Sequence, residues 1–151
     1  MKPSERLTEL GLTLPVVAAP VGSYVPAIQT GSHILTSGQL PFRDGAVVYT
    51  GKVPRETTVE DAMKGAEIAA INAVAAAAHQ AGGIDAIRRV IRVAVFVNSS
   101  PGFTEQPKVA NGASDLLAKM FGDAGKHVRA AIGVSELPLN AAVELELTVE
   151  V

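Results

Sequence analysis

The chain has 151 residues, enough for one ordinary domain that buries most of its apolar surface without disulfides. Hydrophobic residues make up 48% and charged residues 19%, which is typical of a folded globular protein and excludes the disordered class. The absence of cysteine excludes a disulfide scaffold, a thiolate zinc site and a cysteine nucleophile. Thirteen basic and fifteen acidic residues give a net charge of −2, which argues against nucleic-acid binding as the main function.

From the sequence we expect neither a membrane-spanning segment nor a secretory signal. No apolar run reaches the roughly 18–20 residues that a membrane-spanning helix needs. The segment Met1–Arg6 contains an acidic residue and leads into no compact apolar stretch, so it lacks the pattern of a secretory signal. We therefore expect a cytoplasmic protein with a single domain over residues 1–151, in which residues 1–15 form an N-terminal extension with a short helix.

The first third of the chain predicts that short helix and a group of β-strands. Ser4 is a candidate N-cap for a helix that ends at Leu10. Residues 22–30 and 32–38 predict two strands on either side of a tight turn, and a short strand follows over residues 46–49. These elements predict a β-rich start to the fold.

Two longer helices alternate with strands in the rest of the chain. The first helix begins at Thr57 or Thr58, where Thr57 and Glu60 have capping-box spacing, and a pair of glycines ends it after Ala81. Many alanines along it would let the helix lie close to a sheet. The second helix runs from Gln106 or Pro107 to Met120 and follows a β-branched strand over residues 90–98.

Two further strands are predicted at the end of the chain, over residues 128–136 and 142–151. Their short connection favours an antiparallel pair. Helices are few and lie between strands, so we predict an α+β fold. Its core is one mixed β-sheet with two helices packed on one face.

The alternation of side chains along these last strands predicts a charged surface. On the final strand Glu144 and Glu146 lie opposite an apolar face. On the preceding strand Ile132 and its neighbours of the same parity are the natural core face, which places Arg129 on the other one. We therefore expect Arg129 and Glu144 to project from the same helix-free face of neighbouring strands.

An arginine and a glutamate placed in this way suit a small acidic substrate that is attacked by water. A guanidinium holds a carboxylate through two parallel hydrogen bonds, and a carboxylate can orient or deprotonate a water. The alternative is a surface ion pair between Arg129 and Glu144, worth about 0.2–1 kcal/mol and without further function. The pattern of residues by itself favours that alternative, because charged outer faces are common in antiparallel sheets.

Three segments together resemble one protein family, over residues 16–151. They are Gly22–Val25 (GSYV), Ile34–Pro41 (ILTSGQLP) and Arg129–Glu146 (RAAIGV, then LP, then VELE). On these motifs the chain is similar to the RidA family, also called YjgF/YER057c/UK114. The resemblance implies a chorismate-mutase-like fold and a homotrimer whose sites lie in clefts between subunits. It also implies hydrolysis of reactive 2-imino acids, such as 2-iminobutanoate and 2-iminopropanoate, to 2-keto acids and ammonia, with no cofactor and no metal.

The resemblance assigns roles to particular residues. Arg129 stands at the position of the carboxylate-binding arginine and Glu144 at that of the glutamate that positions the attacking water. The remaining candidate substrate-binding residues are Tyr24, Ser37, Gly38, Asn111, Ala130 and Ala131.

Several of these positions depart from the family pattern or have a structural alternative. Ala130 replaces a hydroxyl residue, Ala131 replaces a cysteine, and Ser114 replaces an aromatic residue, which points to a divergent subgroup. Tyr24 could instead be an aromatic residue at the rim of an interface. Ser37 lacks the sequence context of a nucleophile and fits a turn.

Two other functions compete with the imine deaminase. A non-catalytic trimer could use the same cleft to bind small carboxylates. The endoribonuclease or translation-inhibitor activity associated with the family is disfavoured by the acidic charge, by the scarcity of aromatic residues for base stacking, and by the absence of paired histidines. We expect a small 2-imino or 2-keto acid as the ligand and no membrane partner.

Overall fold

A five-stranded mixed sheet carries two long helices on one face in the computed structural model, which describes residues 1–17, 19–20 and 22–151. The helices are α1 (Pro3–Glu9), α2 (Val59–Ala81) and α3 (Gln106–Phe121). The strands are β1 (Ala27–Thr30), β2 (His33–Thr36), β3 (Phe42–Arg43), β4 (Ala46–Val47), β5 (Arg89–Asn98), β6 (Val128–Val134) and β7 (Val143–Glu150). This arrangement confirms the predicted α+β fold.

The order of strands in the large sheet is β1-β2-β7-β5-β6, and β3 and β4 form a separate two-stranded sheet. All neighbours in the large sheet are antiparallel except β5 and β6, which are parallel. A parallel pair needs a crossover connection, and α3 supplies it. Among the described residues, no helix combines the length and apolar character needed to cross a lipid bilayer.

Local capping rules account for the limits of α2. The Thr58 hydroxyl accepts a hydrogen bond from the backbone N–H of Asp61 at 3.1 Å, so the predicted start at Thr58 is confirmed. The alternative capping box at Thr57 is wrong, because that hydroxyl donates to the Thr50 carbonyl instead. Gly82 ends the helix in the left-handed conformation at φ 85°, as the sequence predicts.

The predicted cap of α1 is wrong. Lys2 is the N-cap residue, and its N–H donates to the Glu5 carboxylate at 2.7 Å. Ser4 lies inside the helix, where its N–H and hydroxyl both donate to the Asp85 carboxylate, at 2.9 and 2.7 Å. These two hydrogen bonds lower the pKa of Asp85 and fasten α1 to the turn that follows α2.

The predicted antiparallel pairing of the last two strands is also wrong. Strands β6 and β7 run in opposite directions, but β5 lies between them and pairs with both. The connection over residues 135–142 passes across the end of β5, where the Asn98 side chain donates to the Ala141 carbonyl at 3.1 Å. The backbone N–H of Asn98 donates to the Ala142 carbonyl at 2.9 Å. The connection is therefore held by the strand that it crosses.

The helices approach each other closely through small residues. A Cβ atom built on Gly112 of α3 would lie 2.3 Å from the carbonyl oxygen of Met63 in α2. The alanines of α2 are buried along most of its length, which lets the helix lie low on the sheet. Gly65 of α2 is less constrained, since its Cβ would meet side-chain atoms and no backbone, with Val143 nearest at 3.3 Å and Tyr49 at 3.6 Å.

We expect Gly112→Ala to lower the free energy of unfolding by about 1–3 kcal/mol, because the added methyl group meets backbone that cannot move without separating the helices. Gly65→Ala is the matched control, since both substitutions add the same helix propensity, worth at most about 1 kcal/mol. Urea denaturation of the two variants measures the difference. Equal stabilities would show that the contact between α2 and α3 is looser than described.

Candidate functional site

Arg129 lies on β6, the edge strand that adjoins the crossover helix. It pairs with Val93 of β5, which is buried on the face that the helices cover. Paired residues of adjacent strands point to the same side of a sheet, so the Arg129 side chain is directed toward α3. The side chain is nevertheless exposed, because β6 is at the margin of the sheet.

Three acceptors on α3 hold the guanidinium of Arg129. Its Nη1 donates to Asn111 Oδ1 at 2.9 Å and to Ser114 Oγ at 3.2 Å, and its Nη2 donates to the Pro107 carbonyl at 3.4 Å. All three acceptors are neutral, and Arg129 makes no ion pair with any of the described residues. A guanidinium has five N–H donors, so two of them remain for a ligand.

Glu144 lies on the opposite face of the sheet. It pairs with Phe96 of β5, whose neighbours Val95 and Val97 are buried beneath the helices. Because successive side chains of a strand alternate between faces, Phe96 and Glu144 both point to the face without helices. We call this surface the helix-free face.

The environment of Glu144 raises its pKa. The side chain is half-buried, and burial disfavours the charged form of the carboxyl group; the nearby carboxylate of Glu146 adds a smaller effect in the same direction. Gly38 closes one side of this environment, because a Cβ built on it would lie 2.2 Å from Glu144 Oε1. Only glycine lets the backbone approach the carboxylate so closely.

Ser37 fastens the segment around Tyr24 to this glycine. The Ser37 hydroxyl donates to the Val25 carbonyl at 2.6 Å, and its N–H donates to the Pro26 carbonyl at 2.8 Å. Its hydroxyl proton is therefore engaged in a turn contact, which agrees with the structural alternative for this serine. Tyr24 is 47% exposed, so its ring is available to a ligand or to a second chain.

The candidate residues thus form two groups, and the prediction that Arg129 and Glu144 share one face is wrong. The arginine group comprises Arg129, Asn111 and Ser114 on the helix side of β6. The glutamate group comprises Glu144, Gly38 and Ser37, and Tyr24 precedes Val25, whose carbonyl Ser37 holds. Ala131 pairs with Val95 and so faces the helix side with the arginine group, whereas Ala130 pairs with Ala94 and faces away.

The two faces of β6 are therefore the reverse of those that the sequence predicts. Ile132, expected in the core, pairs with Phe96 on the helix-free face and is 42% exposed. Val128 is 65% exposed. Apart from Arg129, both sides of β6 carry only small or apolar residues, so the alternation of side chains carries little information about which side meets the helices.

Sequence reasoning also missed the contact between Ser114 and Arg129. From the sequence, Ser114 is notable only because it replaces an aromatic residue of the family pattern. Asn111 and Ser114 are three residues apart on α3, and residues with that spacing share one face of a helix. Once Asn111 is a candidate ligand-binding residue, this spacing indicates Ser114 as a second polar group beside it.

The fold agrees with the comparisons with known proteins. The family model described as "YjgF/chorismate_mutase-like, putative endoribonuclease" matches residues 4–151, so the chain belongs to the YjgF/RidA family. It is 43% identical to Protein TCP17 of Trypanosoma cruzi over 145 residues, 95% of this chain and 91% of that one. It is 26% identical to a 2-iminobutanoate/2-iminopropanoate deaminase of Dermatophagoides farinae, over 89% of this chain and 91% of the relative.

Solved structures agree with the same fold. A protein of Shewanella oneidensis, described as a putative endoribonuclease, superposes with a TM-score of 0.96 at 35% identity, and the match covers 100% of both chains. The chorismate-mutase-like sheet with helices on one face is therefore confirmed. The names of these relatives include both a deaminase and an endoribonuclease, so family membership by itself leaves the activity open.

We expect the Glu144 carboxyl group to titrate above the ordinary pH range of a glutamate, and Glu146→Gln to lower its midpoint by removing a neighbouring negative charge. A ¹³C NMR titration of the side-chain carboxyl carbons measures both. Glu150→Gln is the matched control, because it removes a charge farther along the same strand. A midpoint unaffected by Glu146→Gln would contradict this description of the site.

Proposed function

We propose that this protein hydrolyses small reactive 2-imino acids, of the 2-iminobutanoate and 2-iminopropanoate class, to 2-keto acids and ammonia. The observation that carries the proposal is the state of Arg129. Its guanidinium is exposed, is held by neutral acceptors and has donors left over, which is the arrangement needed to bind a substrate carboxylate. A relative whose printed name is that of such a deaminase supports the choice of substrate class.

Glu144 supplies the second requirement of the reaction, which is a base for water. Its raised pKa makes it a stronger base than an ordinary glutamate, while Gly38 leaves the carboxylate room beside the backbone. As water adds to the imine carbon, Glu144 accepts one of its protons, and solvent supplies the proton that the C=N electron pair takes up at nitrogen. The resulting carbinolamine then loses its hydroxyl proton to solvent as the C=O bond forms and the C–N bond breaks. The nitrogen takes the proton that Glu144 returns and leaves as ammonia.

The substrate must contact residues from two copies of the chain, because Arg129 and Glu144 of one chain lie on opposite faces with β5 between them. We propose a homotrimer in which each cleft takes the arginine group from one copy and the glutamate group from the next. The helix-free face supports this assembly. A row of paired residues across it includes Ile28, Leu35 and Val128, which are 60%, 42% and 65% exposed in the single chain.

A non-catalytic carboxylate-binding protein is the alternative that the arginine group by itself would support, since that group needs no base to bind a ligand. An endoribonuclease, as the family description names it, would instead need a surface for nucleic acid. The assay below separates these functions, because only a deaminase requires both Arg129 and Glu144 and releases a keto acid.

We expect the wild-type protein to compete with semicarbazide for 2-iminobutanoate that a threonine dehydratase releases, and so to reduce formation of the semicarbazide adduct. Glu144→Gln should lower kcat by about 10²- to 10⁴-fold through loss of the base. Arg129→Ala should remove activity by loss of carboxylate binding while the fold persists, as circular dichroism can verify.

Glu150→Gln is the control for a general effect of charge on the same strand and should retain activity. Full activity of Arg129→Ala would refute the proposed site. Binding of 2-oxobutanoate without turnover would favour the non-catalytic alternative, and cleavage of a single-stranded RNA would favour the endoribonuclease.

A further inference from the structure

The imidazole ring of His127 contacts the Ser114 hydroxyl on one side and the backbone carbonyl of Gly125 on the other. Its Nδ1 is 2.6 Å from the Gly125 carbonyl oxygen, and a carbonyl only accepts, so Nδ1 carries the hydrogen and donates it. Its other ring nitrogen, Nε2, is 2.9 Å from Ser114 Oγ. In the neutral imidazole Nε2 has a free lone pair, so the Ser114 hydroxyl donates to it.

This hydrogen bond determines whether the Ser114 hydroxyl acts as a donor or an acceptor toward Arg129. With its proton directed at His127, Ser114 presents an oxygen lone pair, and Arg129 Nη1 donates to that oxygen at 3.2 Å. Together, these hydrogen bonds form a continuous network from the Gly125 carbonyl through His127 and Ser114 to the guanidinium of Arg129. Each hydrogen in this network is donated to a single acceptor, so no two acceptors compete for one proton.

The backbone of Gly125, at the other end of this hydrogen-bond network, is rigidly placed. Gly125 is buried, and a Cβ built on it would lie 2.4 Å from the Leu117 carbonyl oxygen of α3. The turn therefore packs directly against the helix that also carries Ser114. Gly125 packs against α3, and Arg129 is hydrogen-bonded to it. The position of Ser114 Oγ is therefore set by the backbone as well as by its own side-chain rotamer.

We propose that Ser114 and His127 are positioning residues, which hold the Arg129 guanidinium in the orientation that receives a substrate carboxylate. The inference rests on the proposed function of Arg129, and it goes beyond it because neither Ser114 nor His127 has a role in the proposed chemistry. Ser114 engages Nη1 directly and His127 acts on it through Ser114, so the Nε hydrogen and the Nη2 hydrogen that Pro107 does not accept stay available to the ligand. An arginine held in advance loses less conformational freedom on binding.

The first test measures the guanidinium itself and needs no substrate. We expect ¹⁵N NMR of the free protein to show slow rotation about the Nε–Cζ bond of Arg129 in the wild type and faster rotation in Ser114→Ala and His127→Phe. Ser114→Thr keeps the hydroxyl and should keep the slow rotation. Rotation that is equally fast in the wild type, or unchanged in both disruptive variants, would overturn the inference.

The second test asks whether this restraint matters to the reaction. Ser114→Ala and His127→Phe should raise KM for 2-iminobutanoate, and weaken 2-oxobutanoate binding, by about 3- to 10-fold while kcat stays within about two-fold. His127→Gln, whose amide can both donate and accept, should recover part of the loss. A fall in kcat with KM unchanged would contradict a positioning role.

Thermal denaturation of each variant separates these effects from loss of fold. Slow Arg129 rotation that depends on Ser114 and His127 supports the positioning contact even if the wild type hydrolyses no imine, in which case the proposed function fails alone. Failure of the rotation test with an active wild type overturns only the inference. The two claims are therefore distinguishable.

Discussion

Strands β5 and β6 run parallel, and this pairing determines where Arg129 lies. Parallel neighbours cannot be joined by a tight turn, so the chain must leave the sheet and return, and α3 makes that crossover. The return places β6 directly beside the helix. Arg129, which faces the same side as Val93, therefore meets the polar residues of α3 and no carboxylate of its own sheet.

The antiparallel pairing on the other side of β5 gives Glu144 its different environment. Because side chains alternate along β7, its leucines and valines pack beneath the helices while its glutamates face away. The loop that brings Gly38 against Glu144 then buries the carboxylate by half and raises its pKa. One sheet thus holds an exposed arginine on one side and a half-buried glutamate with a raised pKa on the other, and the proposed reaction needs both.

The parts of the fold that could be predicted from sequence are those governed by local rules. Thr58 and Gly82 mark the ends of α2 because capping depends only on residues within a few positions. The pairing of β6 with β5 could not be predicted in this way. Crossing one intervening strand requires only about 10 Å, and the eight residues over 135–142 can extend about 26 Å, so a short connection does not distinguish a hairpin from a skipped strand.

The candidate site shows the same division between local and long-range information. The resemblance to the family identified Arg129 and Glu144 by their motifs, but the face to which each points depends on strand pairing, which the motifs do not encode. The hydrogen bond between Ser114 and His127 joins residues on α3 to the turn after it and follows from packing. Helical spacing indicates Ser114, whereas nothing in the local sequence indicates its histidine partner.

In the proposed trimer each complete site takes Arg129 from one copy and Glu144 from another, and coexpression of Arg129→Ala with Glu144→Gln tests this sharing of the site. Each variant alone should hydrolyse 2-iminobutanoate at no more than about one hundredth of the wild-type rate, and light scattering should give a mass near three chains for every preparation. In randomly mixed trimers about one quarter of the clefts would combine an intact arginine with an intact glutamate, so about one quarter of the wild-type activity should return. A mixed preparation that is assembled but as inactive as its parents would contradict the shared site.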